Sequence, residues 1–215
     1  MWHGELREVP LPAGTAGNSP WLDLTHSSPS FAGTELPVYD YLPKPESVQK
    51  VGIKDCHMWP ADPPRRLIYV DDHLVTHPLA TLLMSKSWEG SPPVYICTGW
   101  EMIGYEDKWF AKKLAGQGVK VKFEEYEAMP HCFAMIFPGS TVSRRCYSNW
   151  ANFIRDAVIS PESFQSSATL IKAKSLKEQP LRFEDLGDAS EEEIRARIEK
   201  MAAEVPDAMV ISPKL

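Results

Sequence analysis

The stretch that decides the fold is PPVYICTGWEMIGYEDKWFAKKLAGQGVKVKFEEYEAMPHCF, residues 92–133. Its first part, residues 94–99, is a short apolar run bounded by prolines and a glycine, which is typical of a buried strand. Residues 105–117 predict a helix that two glycines end. Residues 119–124 alternate apolar and charged side chains, which predicts a strand with one wet face. Strand, helix and strand at this spacing form a βαβ unit, and such units build parallel sheets.

Two ionisable residues follow the two predicted strands. His131 lies in the proline-containing loop after the second strand, and Glu101 lies two residues after Gly99 at the end of the first. In open α/β sheets, ligand-binding and active sites lie outside the carboxyl ends of the strands. We therefore predict that His131 is a general base and that Glu101, within hydrogen-bond reach, orients it. The competing carboxylates, Glu106 and Asp107, fall in the first helical turn, where acidic residues are expected for the helix dipole alone. The plainer alternative is a surface or packed histidine.

A nucleophile to complete a catalytic triad is not encoded in a recognisable motif. The pattern G-x-S-x-G does not occur, and Ser19 in GTAGNSP is followed by proline without a strand–elbow–helix frame. The sequence His3-Gly4 continues with glutamate, so an H-G-G oxyanion loop is missing as well. Cys132 adjoins His131, but neighbours on an extended segment point to opposite sides, which predicts that the two form no dyad.

A zinc site is the rival interpretation of His73 and His77. Two histidines four residues apart share a face of a helix, and Asp71 and Asp72 precede them. Pro78 disfavours helical backbone at His77, and a third ligand is not obvious. We therefore expect no metal site at these histidines.

Composition limits the other functional classes. The chain has 215 residues, which suits one domain, and its formal net charge of −6 argues against a nucleic-acid partner. No apolar run approaches the roughly 18 residues of a transmembrane helix, and the N-terminus lacks signal-peptide features. The four cysteines are widely spaced, so we expect them reduced and mostly buried in a cytoplasmic protein.

The remaining chain is divided by its patterning. Residues 1–160 predict the main domain, with a loop-rich connecting segment at 31–90 (helical near 79–88) and the acid-to-histidine segment at 91–160, which ends in a helix over 141–158. Residues 161–215 predict a polar extension, with a short surface helix that begins at a capping box of Ser190 and Glu193. Because its apolar residues are sparse, we expect this tail to pack weakly.

Residues 92–134 resemble the acid-to-histidine segment of α/β-hydrolases of the hormone-sensitive-lipase-like class, which are serine esterases and lipases. SPWLDLT at 19–25, Trp59-Pro60 and HPLA at 77–80 are similar to other segments of that family. The resemblance implies the acid role for Glu101, where aspartate is commoner, and the general-base role for His131. It also implies a partial α/β-hydrolase fold, the C-terminal part of a mostly parallel sheet with flanking helices. The full family's substrates are small carboxylic esters, and the resemblance implies that neither a metal nor an organic cofactor is needed.

Two departures from the family are expected to matter. Its oxyanion loop and nucleophile elbow both precede the Ser-Pro-Trp segment, and only 18 residues do so here, so the nucleophile-bearing half is expected to be absent. The segment GTAGN at 14–18 replaces an apolar run and is expected to make a poor central strand. The prediction is thus a truncated or degenerate carboxylic-ester hydrolase, inactive alone. A non-catalytic binding protein on the residual sheet and, less favoured, a zinc-dependent enzyme are the alternatives.

Overall fold

The computed structural model describes residues 10–32, 38–42, 56–57, 67 and 70–204. Its strands are β1 (Thr15–Asn18), β2 (Val94–Thr98), β3 (Val121–Tyr126), β4 (Ser167–Ile171) and β5 (Glu178–Leu181). Its helices are α1 (Pro29–Ala32), α2 (Gly104–Gly116), α3 (Phe133–Ile136), α4 (Thr141–Ile159) and α5 (Glu191–Ala203). Short 3-10 turns span Asp72–Leu74, Leu82–Met84 and Phe183–Asp185.

The five strands form one mostly parallel sheet in the order β1-β2-β3-β4-β5. The pairs β1–β2, β2–β3 and β3–β4 are parallel, and β5 runs antiparallel to β4. The unit β2-α2-β3 confirms the predicted strand, helix and strand. Because β2 and β3 are parallel neighbours, their carboxyl ends meet at one edge of the sheet, and the loops that follow them lie side by side.

Hydrophobic clusters cover both faces of the sheet. On one face, helices α2 and α5 pack against β2 and β3, with Ile96, Leu114 and Phe123 in the centre. On the other face, Tyr95 and Cys97 of β2 pack against Phe153 of helix α4. Alternate residues of β2 point to opposite faces, as strand geometry requires, and all five residues of the strand are buried. The fold is therefore α/β, with helices on both sides of a largely parallel sheet.

The segment expected to make a poor central strand does form a strand, at the edge of the described sheet. Strand β1 pairs with β2 in the register that places Thr15 opposite Val94. A Cβ atom on the preceding Gly14 would lie 3.0 Å from Cζ of Phe153 and 3.1 Å from Cβ of Ala157. Backbone pairing and the close passage of α4 therefore hold the strand, although its own side chains contribute little apolar burial.

The wet face that the alternating pattern predicts for β3 is only partly formed, because Lys122 is half-buried whereas Glu124 on the same face is buried. Glu124 is 2% exposed and Glu125 is 6% exposed. The Glu124 carboxylate accepts hydrogen bonds from Tyr95 Oη at 2.8 Å, Tyr126 Oη at 2.7 Å and Asn149 Nδ2 at 2.9 Å. A buried carboxylate with three donors is well satisfied, so tertiary partners override the sequence pattern here.

The expectation that the tail after residue 160 packs weakly is wrong. Strand β4 extends the sheet beside β3, and Ile194 and Ile198 of α5 are 3% and 0% exposed within the core cluster of α2. The predicted helix itself is confirmed, with Ser190 and Glu193 forming the capping box. The two isoleucines lie one helical turn apart on the same face of α5, and the core cluster covers both side chains although this helix has few large apolar residues.

The described residues of the loop-rich segment before β2 form only short helical turns. The helix expected near residues 79–88 is reduced to the 3-10 turn Leu82–Met84, which places Leu83 and Met84 in the core. Trp59-Pro60 and His3-Gly4 lie outside the described residues. Within the described ranges, no helix combines the length and apolar character that crossing a membrane requires.

Candidate active site

The structure brings Glu101 and His131 into direct contact. His131 Nδ1 lies 2.7 Å from Glu101 Oε2, and the carboxylate side chain is 0% exposed whereas the imidazole is 20% exposed. A carboxylate can only accept, so Nδ1 is the donor of this hydrogen bond, and in the neutral imidazole the lone pair lies on Nε2. The distance between the two side chains agrees with the prediction from the strand ends, whereas their roles stay a prediction.

Three further donors fix the other oxygen of Glu101. Oε1 accepts hydrogen bonds from Ser19 Oγ at 2.6 Å, Thr98 Oγ1 at 2.8 Å and the Gly99 amide at 2.9 Å. With the histidine, the carboxylate has four partners drawn from the ends of β1, β2 and the loop after β3. Such a carboxylate is held in one orientation, and it holds the imidazole in turn.

The loops that carry the two residues are locked together at Gly99. The Trp100 amide donates to the Met129 carbonyl at 2.8 Å, and a Cβ atom at Gly99 would lie 2.0 Å from that same oxygen. Only glycine fits so close to another backbone. The glycine that ends the predicted strand therefore serves the approach of the two loops.

Asp40 is a second link between the loops, and it was not foreseen. Its carboxylate accepts from the Met102 amide at 2.7 Å and from the His131 amide at 3.2 Å. Residue 40 lies in the irregular segment, 62 residues before one partner and 91 before the other. No motif surrounds it, so nothing in the sequence pointed to this position.

Ser19 lies at the site, but it contacts the acid and not the base. It follows β1 directly and is 4% exposed, with a left-handed φ of 48°. Its hydroxyl donates to Glu101 and accepts the Cys132 amide at 3.1 Å. Ser19 therefore helps to hold the Glu101 carboxylate in place, which the absence of a nucleophile motif around Ser19 did not indicate.

The prediction that Cys132 and His131 form no dyad is wrong in its geometry. Cys132 has φ 51° and ψ 31°, a left-handed conformation, and is not extended. Its Sγ atom lies 3.3 Å from His131 Nε2 and 3.7 Å from the Asn18 carbonyl oxygen. Alternation across the chain applies to extended backbone, and the left-handed turn brings the two side chains to the same side.

The competing carboxylates, Glu106 and Asp107, do lie in the first turn of α2, but they are fully buried and do not face solvent. Asp107 is 0% exposed, and neither of its carboxylate oxygens has a hydrogen-bond partner among the described residues. Burial raises the pKa of Asp107 well above its usual range, and the charge of Glu101 raises it further. Burial likewise raises the pKa of Glu106, with the charge of Asp107 next in effect. Because a raised pKa favours the neutral carboxylic acid, neither group is a good partner for the positive charge of an imidazolium.

The two histidines of the zinc alternative lie on turns and not on one helix. His73 belongs to the 3-10 turn Asp72–Leu74, and Nδ1 of His77 accepts the Leu79 amide at 3.2 Å. The part of the chain that the structure describes contains no group of three or more histidine, cysteine, aspartate or glutamate side chains placed to hold a metal ion. The shared helical face on which the zinc interpretation depended is thus not formed.

A family model described as alpha/beta hydrolase fold matches residues 5–135. A comparison of the sequence with curated proteins gives no match.

Solved structures of esterases are similar to this fold. A mutant of the esterase E40 has 25% sequence identity and a TM-score of 0.56, over 72% of this chain and 47% of that one. An esterase from the bacterial hormone-sensitive lipase family has 23% identity and a TM-score of 0.52, over 72% and 47%. The hormone-sensitive lipase homologue EstE7 from a metagenome library has 21% identity and a TM-score of 0.52, over 73% and 49%. The chain spans about half the length of these structures.

Proposed function

Because this chain belongs to the α/β-hydrolase fold family, we propose that it supplies the acid and the general base of a carboxylic-ester hydrolase. Glu101 is the orienting acid and His131 is the base. The nucleophilic serine and the oxyanion donors of the complete site come from chain outside these 215 residues. Small carboxylic esters are the substrate class of that complete site, in keeping with the esterases among its structural relatives.

One observation carries the proposal: the 2.7 Å contact of His131 Nδ1 with a carboxylate that three other donors hold in place. The contact leaves Nε2 with a lone pair that faces away from the acid. In acyl transfer that nitrogen takes the proton of the attacking hydroxyl and later delivers it to the leaving group. The buried carboxylate stabilises the imidazolium that forms in between.

The proposal predicts that the 215-residue chain alone does not turn over esters. Steady-state hydrolysis of p-nitrophenyl acetate by the purified chain is expected to equal that of an albumin control. A serine on a nucleophile elbow is not recognisable in its sequence, and each missing oxyanion donor costs about 10²–10³ in rate. Sustained turnover that disappears in His131→Ala would contradict the proposal, because it would require a complete site within this chain.

A second measurement addresses the missing half directly. Transcripts are sequenced upstream of the Met1 codon, and an in-frame segment with H-G-G and G-x-S-x-G motifs is the expected result. The protein expressed from such a transcript should hydrolyse short-chain aryl esters, and His131→Ala should abolish that activity. Transcripts with a stop codon directly upstream in every tissue or growth condition would refute the proposed role.

A further inference from the structure

The ring nitrogen of His131 that does not contact Glu101 lies next to a thiol. Glu101 occupies Nδ1 of His131, and Cys132 Sγ lies 3.3 Å from Nε2. Because the acid fixes the proton on Nδ1, Nε2 of the neutral ring is an acceptor, and it lies nearer to Sγ than the other acceptor of the thiol, the Asn18 carbonyl at 3.7 Å. Thiol, imidazole and carboxylate thus stand in the order of nucleophile, base and orienting acid.

We propose that Cys132 is a nucleophilic thiol that accepts acyl groups from activated carboxylic esters, with His131 as its base and Glu101 as the positioning residue. The inference rests on the base role that the proposed function gives to His131. It adds a nucleophile that neither the sequence motifs nor the family match assigns. Cys132 is half-buried and the His131 side chain is 20% exposed, so the pair is open to solvent on one side.

The thiol at rest is protonated. Burial raises the pKa of Cys132, and the negative charge of Glu101 raises it further, whereas the hydroxyl of Ser19 lowers it in part. A free thiolate is therefore scarce at neutral pH, and attack requires that the base removes the proton as the new bond forms. Reaction of Cys132 should consequently depend on His131, whereas an ordinary surface thiol reacts through its own ionisation.

The chemical step balances without a further reactant. Sγ of Cys132 bonds to the ester carbonyl carbon while its proton passes to His131 Nε2. The bond from that carbon to the phenolic oxygen then breaks as the carbonyl re-forms, and the imidazolium gives its proton to the leaving phenolate, directly or through solvent. The products are one acyl thioester on Cys132 and one phenol, with the histidine neutral again.

The acyl group is expected to stay on the thiol, because the nearby amide donors are occupied. The Cys132 amide donates to Ser19 Oγ at 3.1 Å, and the Phe133 amide donates to the Pro130 carbonyl at 3.2 Å. In serine hydrolases, the amide after the nucleophile is one of the oxyanion donors. With both amides engaged, acylation and thioester hydrolysis each lose about 10²–10³ in rate for each donor. Acylation tolerates this loss better, because the phenolate of an activated ester is a good leaving group, whereas hydrolysis requires attack by water. The expected outcome is one acyl group per chain and no sustained turnover, in agreement with the proposed function.

The test is site-resolved acetylation by p-nitrophenyl acetate. The full chain is incubated with the ester at neutral pH and digested at low pH, and the acetylated fraction of each cysteine is measured by mass spectrometry. Cys56, which is exposed, serves as the internal reference for reagent and time. The ratio of Cys132 to Cys56 acetylation should fall about a hundredfold in His131→Ala, the size of a general-base contribution. His73→Ala, which removes an exposed imidazole elsewhere, should leave the ratio unchanged.

Two controls keep the result decisive. Circular dichroism verifies that each variant is folded, and Glu101→Gln, which retains the imidazole, should lower the same ratio if His131→Ala does not fold. A ratio that is the same in the parent, His131→Ala and Glu101→Gln would overturn the inference. So would a parent in which Cys56 is acetylated and Cys132 is not.

The same samples separate this inference from the proposed function. The Nδ1 proton of His131, observed by NMR, reports the pair with Glu101 without any reference to the thiol. If that proton is absent, the acid–base pair itself fails, and the proposed function fails with it. If the proton is present and Cys132 acetylation is independent of His131, only the inference about the thiol is refuted.

Discussion

Replacing Glu101 by glutamine tests the logic of the site more sharply than removing the side chain, because shape is kept and only one oxygen changes. In the parent, Oε1 accepts from three donors and Oε2 faces His131 Nδ1. A glutamine must choose which of its two ends faces the histidine. If the amide oxygen stays with the three donors, the NH₂ group faces Nδ1, and the imidazole proton must move to Nε2. Nε2 then donates and can no longer act as a base.

The Gly99 amide decides this choice. The hydroxyls of Ser19 and Thr98 can rotate and accept from an NH₂ group, but the Gly99 N–H, 2.9 Å from Oε1, cannot turn away. The flipped glutamine would therefore leave a buried donor facing another donor, which costs about 1–3 kcal/mol. At about 1.4 kcal/mol per factor of ten, the proton is favoured on Nε2 by about 5-fold to about 140-fold. Cys132 acetylation should fall by the same range in Glu101→Gln.

Two assays measure the effect. Long-range ¹⁵N–¹H NMR of histidine-labelled protein shows which ring nitrogen of His131 carries the proton, and the acetylation ratio gives the kinetic consequence. Glu199→Gln, on the exposed side of α5, is the matched control for loss of one negative charge. If the proton stays on Nδ1 in Glu101→Gln and acetylation is unchanged, the hydrogen-bond argument is refuted, because the three donors would not be fixing the side chain.

Two further predictions concern stability. Since burial raises the pKa of Asp107, its contribution to folding is fully present below about pH 4, the unfolded value, and is lost as pH rises through the folded value. Asp107→Asn should therefore raise the unfolding free energy at pH 8 by about 1–3 kcal/mol, with a smaller gain at pH 4. Urea titrations at the two pH values measure this difference. An equal effect at both would contradict the argument that the burial of Asp107 makes its ionisation unfavourable. Ile198→Ala should lower it by about 2–5 kcal/mol because the side chain is fully buried, whereas Met201→Ala, at 38% exposure on the same helix, should change it by less than half as much. Similar values for both variants would show that α5 does not belong to the core.

The parts of the structure that follow from local periodicity could be predicted from the sequence. The run from Val94 to the helix stop at Gly116 gave strand and helix, and the placement of Glu101 and His131 after neighbouring strands predicted their contact. Both inferences need only the period of the apolar residues and the rule that parallel strands end at one edge. The role of each residue in catalysis needs more than this placement.

The burial of the tail and of β3 could not be predicted in the same way, because it depends on partners far along the chain. Ile194 and Ile198 lie on one face of the predicted helix, but two apolar residues indicate little burial until α2 supplies the face that covers them. Glu124 resembles a solvent-facing residue until Tyr95 and Asn149 place donors around its carboxylate. A pattern within one segment gives the period of its side chains, and the neighbouring segments determine which face is covered.

The position of Cys132 escaped prediction for a different reason. A left-handed backbone is favoured by glycine, asparagine and aspartate, and a cysteine gives no such signal. The conformation costs on the order of 1–3 kcal/mol and persists only where surrounding contacts enforce it. Here the Cys132 amide is tied to Ser19 Oγ, and the following Phe133 amide is tied to Pro130.

Ser19 links the end of strand β1 to both Glu101 and Cys132. Its hydroxyl donates to Glu101 and accepts from the Cys132 amide, so one side chain sets the acid and the backbone of the thiol together. It occupies that point because β1 pairs with β2 up to Asn18, and the Ser19 amide continues the ladder to the Cys97 carbonyl at 2.8 Å. The segment GTAGN has little tendency to form a strand and buries little apolar surface. At the carboxyl end of β1 the backbone register places Ser19 between Glu101 and Cys132, so a segment that forms a strand weakly still positions a residue that contacts both.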